Sequence, residues 1–237
     1  MSIMDFFTNI YVINLDKRTD RWASIQNELR KLGVADRAVR IPGVDLGSHP
    51  GCTASHKKFL DIAIQNGKGV SLVLEDDALI CDGWSGMLES ALYGHVNSNI
   101  PPYRSKNTLP GDWDLLYLGY NLDPNSQGTR PPNFVGHNLI ELHGCLTTHM
   151  YAVNCNNLDH IVRYRALMEN YQHINQIDML YLTIQLEHFY KTYAVYPMIA
   201  TQSSGFSDIS GFSVIYKLRE NVDNVLRDNN RFVTRPQ

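Results

Sequence analysis

Three adjacent acids, Glu75-Asp76-Asp77, follow directly on the apolar run Val70-Ser71-Leu72-Val73-Leu74. Carboxylates this close repel one another and raise each other's pKa unless a divalent cation or fixed donors compensate them. Oxygen ligands of this kind suit Mg²⁺ or Mn²⁺, whose shell is commonly completed by substrate phosphates. The triplet equally describes a solvated acidic turn, because acids are mostly exposed. Alternation along an extended chain puts Glu75 and Asp77 on one face and Asp76 on the other.

Other residues offer complementary chemistry. Arg18 and Arg21 sit in Asp16-Lys17-Arg18-Thr19-Asp20-Arg21, beside an expected helix N-terminus, where amide N–H groups and the helix dipole favour an anion such as phosphate. The plainer reading pairs them with Asp16 and Asp20 as surface ion pairs. Ser55 and His56 are expected in the first turn of a helix opened by Cys52, where they either reach a phosphate or, for Ser55, cap the helix. Asp178 falls in the first turn of another expected helix, where an acid ordinarily compensates the dipole.

The elements that carry these residues read as alternating strands and helices. Val70–Leu74 is apolar on both faces, as in a central, usually parallel strand covered by helices, and open α/β sheets bind ligands beyond the carboxyl ends of such strands. Ile10–Leu15 is a first strand, and Trp22, Ile25, Leu29 and Leu32 give a helix capped by Asp20 and stopped at Gly33. A short strand broken by Pro42 leads through a Gly/Pro loop to the helix from Cys52 to Asn66-Gly67. Met87, Leu88 and Leu92 mark a helix, Trp113–Gly119 a strand, and Thr147–Val153 a strand with His149 and Tyr151 on one face. Helices follow through Leu158–Met168, capped by Asn156 or Asn157, and through Gln176–His188, then a short strand at Tyr193–Pro197. Two long polar loops, Asn97–Gly111 and Asn121–Gly136, are expected to frame a ligand, and Asn221–Gln237 is a polar tail.

With 237 residues the chain has length for a sizeable core. A net charge of −3 without a Lys/Arg run argues against a nucleic-acid groove. Cys52, Cys81, Cys145 and Cys155 are far apart in sequence and read as reduced thiols rather than a structural zinc set. No secretory signal or membrane-spanning stretch is seen, so a cytoplasmic location is expected.

Taken together, YVINLDKRTDRW (11–22), GCTASHKKF (51–59), LVLEDDA (72–78), DWDLLYLG (112–119), TTHMYAV (147–153), INQIDMLY (174–181) and QSSGFSDIS (202–210) resemble glycosyltransferase family 25, the lipopolysaccharide and procollagen galactosyltransferase type. The resemblance runs from about residue 10 to about residue 210. It implies an α/β fold of GT-A type: a mixed, mostly parallel central sheet flanked by helices, with a Rossmann-like nucleotide-binding half. The single domain would comprise a nucleotide-sugar half at about 8–120, an acceptor half at about 121–215 and a peripheral tail at 216–237. It implies a nucleotide-sugar donor, most often UDP-linked, Mn²⁺ or Mg²⁺, and inversion at the anomeric carbon. The acceptor would be a hydroxyl of a glycan or glycoprotein.

Position by position, the resemblance implies that Asn14, Leu15, Arg18, Asp20 and Arg21 hold the nucleotide, with Ser55 and His56 nearby. Glu75, Asp76 and Asp77 match the family's acidic motif. Asp77 would be the main metal ligand, Glu75 would face the ribose or a metal-bound water, and Asp76 would orient its neighbours. Asp178 matches an Ile-Asp position and is the expected general base, with Asp208 second. Asp208 is also expected to close the metal or diphosphate site. Thr147 and Met150 stand where the family usually has Gly and Ala. The alternatives are a sugar nucleotidyltransferase, for which no Gly-rich phosphate loop is seen, and a non-catalytic relative that binds a nucleotide sugar or glycan.

Overall fold

The computed structural model describes residues 2–94, 108–122, 132–136, 138–209, 211, 213–218, 220, 222 and 223. Most of the two long loops and of the expected tail lies outside the described residues.

The strands are β1 (Asn9–Asn14), β2 (Ala38–Pro42), β3 (Val70–Glu75), β4 (Ala78–Ile80), β5 (Leu115–Asn121), β6 (Asn133–Phe134), β7 (Leu139–Leu142), β8 (Leu146–Asn154), β9 (Thr192–Val195), β10 (Ala200–Gln202), β11 (Gly205–Phe206) and β12 (Ser213–Val214). The helices are α1 (Thr19–Lys31), α2 (Ser48–Asn66), α3 (Trp84–Tyr93), α4 (Leu158–Asn170) and α5 (Ile177–His188).

One eight-stranded sheet, ordered β2-β1-β3-β8-β5-β9-β7-β6, runs through the molecule. Its ladders are parallel between β2 and β1, β1 and β3, and β5 and β9, and antiparallel elsewhere. All strands but β8 and β7 therefore point one way, the mixed α/β architecture expected. β3 is central and parallel to β1, but its other neighbour is the antiparallel β8.

Alternation along the strands builds two cores. Tyr11, Ile13 and Val73 face Phe59 and Leu60 of α2, Tyr164 of α4 and Tyr181 of α5. Ile10, Val12, Leu72 and Leu74 face Ile25 and Leu29 of α1 and Leu88 of α3. Helices thus cover both faces of β3, and the C-terminal ends of parallel β1 and β3 lie side by side, with Ile13 opposite Glu75.

Helix starts differ from expectation in two places. Helix α1 begins at Thr19 with Arg18 as its N-cap, so Asp20 sits in the first turn rather than capping. Helix α2 begins at Ser48, so Ser55 and His56 lie two turns inside it and not at its N-terminus. Pro50 and Gly51 read as loop residues, yet proline is tolerated in a first turn, where its missing N–H has no helical partner anyway. Gly51 is there for close approach: a Cβ would come within 2.5 Å of the Val44 carbonyl oxygen. At the other end Gly67, at φ 73°, stops α2 as expected. Helix α4 has Asn157 as N-cap without a side-chain capping bond, its side-chain amide donating to the Trp113 carbonyl instead, while Asn154 caps the preceding turn. No helix among the described residues is long and apolar enough to cross a membrane.

Candidate active site

Strand β3 ends at Glu75, Asp76 and Asp77 form a turn, and β4 leaves to pair with β10. The turn breaks the expected alternation. Asp76 and Asp77 converge on one guanidinium, with Arg21 Nη1 3.0 Å from Asp76 Oδ1 and 3.1 Å from Asp77 Oδ2. Asp76 Oδ2 accepts a 2.7 Å bond from Asn14 Nδ2. Glu75 faces another way: its Oε1 accepts from Thr148 Oγ1 at 2.7 Å and lies 3.2 Å from His56 Nε2. Asp77 Oδ1 is buried and has no hydrogen-bond partner among the described residues.

These side chains line a cleft of about 790 Å³, including space open to solvent, at the C-terminal ends of β1 and β3. The opposite wall comes from the chain after β10, which contributes Ser207, Asp208 and Ile209, and from Tyr216. Three bonds tie this segment across the cleft: Arg21 Nη2 donates to the Phe206 carbonyl at 2.7 Å, Ser48 Oγ to the Ile209 carbonyl at 3.2 Å, and Arg18 pairs with Asp208.

Burial sets the electrostatics. The Asp77 carboxyl is pushed up to about 7 by burial and by the charge of Glu75, against the pull of Arg21. Asp76 is also raised by burial, with Asn14 and Arg21 opposing. Burial pushes Glu75 upward too, but the His56 and Thr148 bonds outweigh it and hold the carboxyl below its usual range. The Cys52 thiol is raised by burial and the surrounding carboxylates, and Asp178 is raised by burial despite a bond from the Met179 amide.

The expected site residues divide accordingly. Leu15, Arg21, Ser55, His56, Glu75, Asp76, Asp77 and Asp208 line the cleft. Asn14 lies behind it, with Oδ1 taken by Arg40 and Nδ2 holding Asp76 and the Arg18 carbonyl. Asn14 thus positions Asp76. Asp20 is exposed, paired with Arg18, and off the cleft wall. Ser55 caps no helix: it donates to the Gly51 carbonyl and accepts from the Val44 amide, pinning the loop after β2. Asp178 does not line the cleft, though it lies close enough to Cys52 and Glu75 for their charges to interact.

The expected ligand set Asp77, Glu75 and Asp208 is not drawn together. Each carboxylate is engaged by a different partner: Arg21, the His56–Thr148 pair, and Arg18. Among the described residues, the one group of three His, Cys, Asp or Glu side chains whose donor atoms all lie within 4.8 Å of one another is Cys52, His56 and Glu75. For a divalent ion at the acidic turn, the residue that fits is Asp77, through its buried and unpartnered Oδ1.

Sequence reasoning missed Cys52, Thr148 and Tyr216. Cys52 and His56 are four apart on one helix face, a spacing that signals a shared ligand face. Nothing local marks Thr148 or Tyr216, which long-range folding brings in. His149 and Tyr151, expected on one face, serve different partners: His149 Nε2 bonds the Ala200 carbonyl, whereas the Tyr151 hydroxyl joins His56 to Tyr181.

No known family model and no curated protein matches the chain. A solved structure, that of a glycosyltransferase involved in the glycosylation of the major capsid of PBCV-1, is similar at 12% sequence identity with a TM-score of 0.36. The match covers 67% of this chain and 65% of that one.

Proposed function

We propose that the chain is a glycosyltransferase of GT-A type, related to glycosyltransferase family 25. It would move galactose or glucose from a UDP-linked donor to a hydroxyl of a glycan or glycoprotein acceptor, with inversion. The observation that carries this reading is the cleft beyond β1 and β3, lined by Arg21 together with the buried carboxylates of Asp76 and Asp77 that it pairs with. Such a site suits a nucleoside diphosphate, and the seven sequence segments supply the class of reaction.

In the proposed mechanism Asp77 would hold a divalent ion, which would supply positive charge for the departing diphosphate. Arg21 already stands against Asp76 and Asp77 and supplies a fixed positive charge to the same phosphates. Asn14 holds Asp76 in place, so the guanidinium is oriented before the donor arrives. The acceptor hydroxyl attacks the anomeric carbon as the bond from that carbon to the phosphate oxygen breaks. The hydroxyl proton passes to a carboxylate, and the nucleoside diphosphate leaves. Asp178, the base implied by the sequence segments, lies outside the cleft lining but within electrostatic range of Cys52 and Glu75, and is the proposed base for an acceptor bound on that side. Asp208 is instead the clasp that Arg18 holds across the cleft.

The test is to incubate the protein with Mn²⁺ and a panel of UDP-sugars and to follow UDP release, with and without glycan acceptors. Release from one donor, raised by an acceptor and lost in Asp77→Asn, is the expected result. Pyrophosphate formed from a nucleoside triphosphate and a sugar phosphate would replace this reading with a nucleotidyltransferase, and binding without turnover would replace it with a binding module.

A further inference from the structure

Cys52 and His56 are one turn apart on α2, so their side chains meet on one face. Glu75, the last residue of β3, faces them, and the three donor atoms lie within 4.8 Å of one another. His56 Nε2 and Glu75 Oε1 are 3.2 Å apart. That matches the edge of about 3.3 Å expected between nitrogen and oxygen ligands of a tetrahedral ion with bonds of roughly 2.0–2.1 Å. The other imidazole nitrogen, Nδ1, is 3.0 Å from the Tyr151 hydroxyl, which is itself bonded to Tyr181. A buried partner on the far nitrogen is what fixes the ring of a metal-binding histidine.

We propose that Cys52, His56 and Glu75 form a binding site for a thiophilic divalent cation of the zinc class, distinct from the ion position at Asp77. Sulfur, nitrogen and oxygen in one set select Zn²⁺ over the oxygen-seeking Mg²⁺ and Mn²⁺. All three residues line the cleft, so a fourth coordination position faces solvent and remains open to water or a ligand. The proposal stands on these three residues and not on sugar transfer.

The full chain, stripped with chelator, is titrated with Co²⁺ as a spectroscopic stand-in and with Zn²⁺ against a chromophoric chelator. One sulfur-ligated ion per chain is expected, with a sulfur-to-cobalt charge-transfer band that Zn²⁺ abolishes and excess Mn²⁺ does not. Cys52→Ser is expected to remove the band and weaken Zn²⁺ by at least ~10-fold. Should that variant fail to fold by circular dichroism, the unmodified protein still answers: Zn²⁺ should shield Cys52 from alkylation, read by mass spectrometry, while Cys81 is not shielded. A band that survives in folded Cys52→Ser, an unshielded Cys52, or Mn²⁺ competing as well as Zn²⁺ would each overturn the site. A chain that binds zinc here but never releases UDP would refute the proposed function alone. Sugar transfer without the sulfur-to-cobalt band would refute this inference alone.

Discussion

At the scale of single residues, Asp77 carries the most unusual demand. Its carboxyl holds a proton up to about pH 7 in the folded chain, against an ordinary value of 3.8. Between those values the folded state binds more protons than the unfolded one, so stability falls as pH rises through roughly 4 to 7 and is level above. Asp77→Asn should therefore raise the melting temperature at pH 8 by several degrees, on the order of 2–4 kcal/mol, with the gain vanishing near pH 4. Thermal melts across that range check it. The same substitution removes the carboxylate charge that would ligate an ion and should abolish Mn²⁺-dependent donor binding, measured by calorimetry. Asp178→Asn should lower turnover by about 10²–10⁴-fold while leaving donor affinity nearly unchanged. A drop in affinity equal to the drop in turnover would contradict the role of base.

At the scale of elements, the cleft depends on how α2 and the segment after β10 are held. Gly51→Ala should push α2 away from the Val44 carbonyl and cost about 1–3 kcal/mol, together with a weaker donor site, because the helix that carries Cys52, Ser55 and His56 moves with it. Denaturant unfolding and donor titration read the two effects. Asp208→Asn should barely change stability, since its ion pair is partly exposed, but should loosen the strap at 203–209, seen as faster hydrogen exchange there. Most of these elements were legible in sequence. The apolar runs of β1 and β3 and the helical stripes of α1, α4 and α5 carry their periods on their face. The start of α2 was not, because Pro50 and Gly51 are loop signals unless the close packing against Val44 is known. The facing of the acids was misread because alternation holds only while the strand continues, and β3 ends at Glu75.

At the scale of the whole molecule, a central sheet covered on both faces brings four distant stretches to one edge. These are the β1–α1 loop, α2, the acidic turn and the chain after β10. Sequence motifs named the stretches that converge, but not the contacts inside them. Arg21 is the instructive case. In sequence it offers either a phosphate contact or a surface ion pair with Asp16 or Asp20, whereas the fold sets it between Asp76 and Asp77 and against the Phe206 carbonyl. The expected metal set failed to assemble for the same reason, since long-range partners claim each carboxylate separately. The central claim is that this edge receives a nucleoside diphosphate, and the most direct measurement is a crystal structure of the chain soaked with Mn²⁺ and UDP. Manganese on Asp77 with the diphosphate against Arg21 is the expected result; a diphosphate and ion bound away from both residues would overturn it.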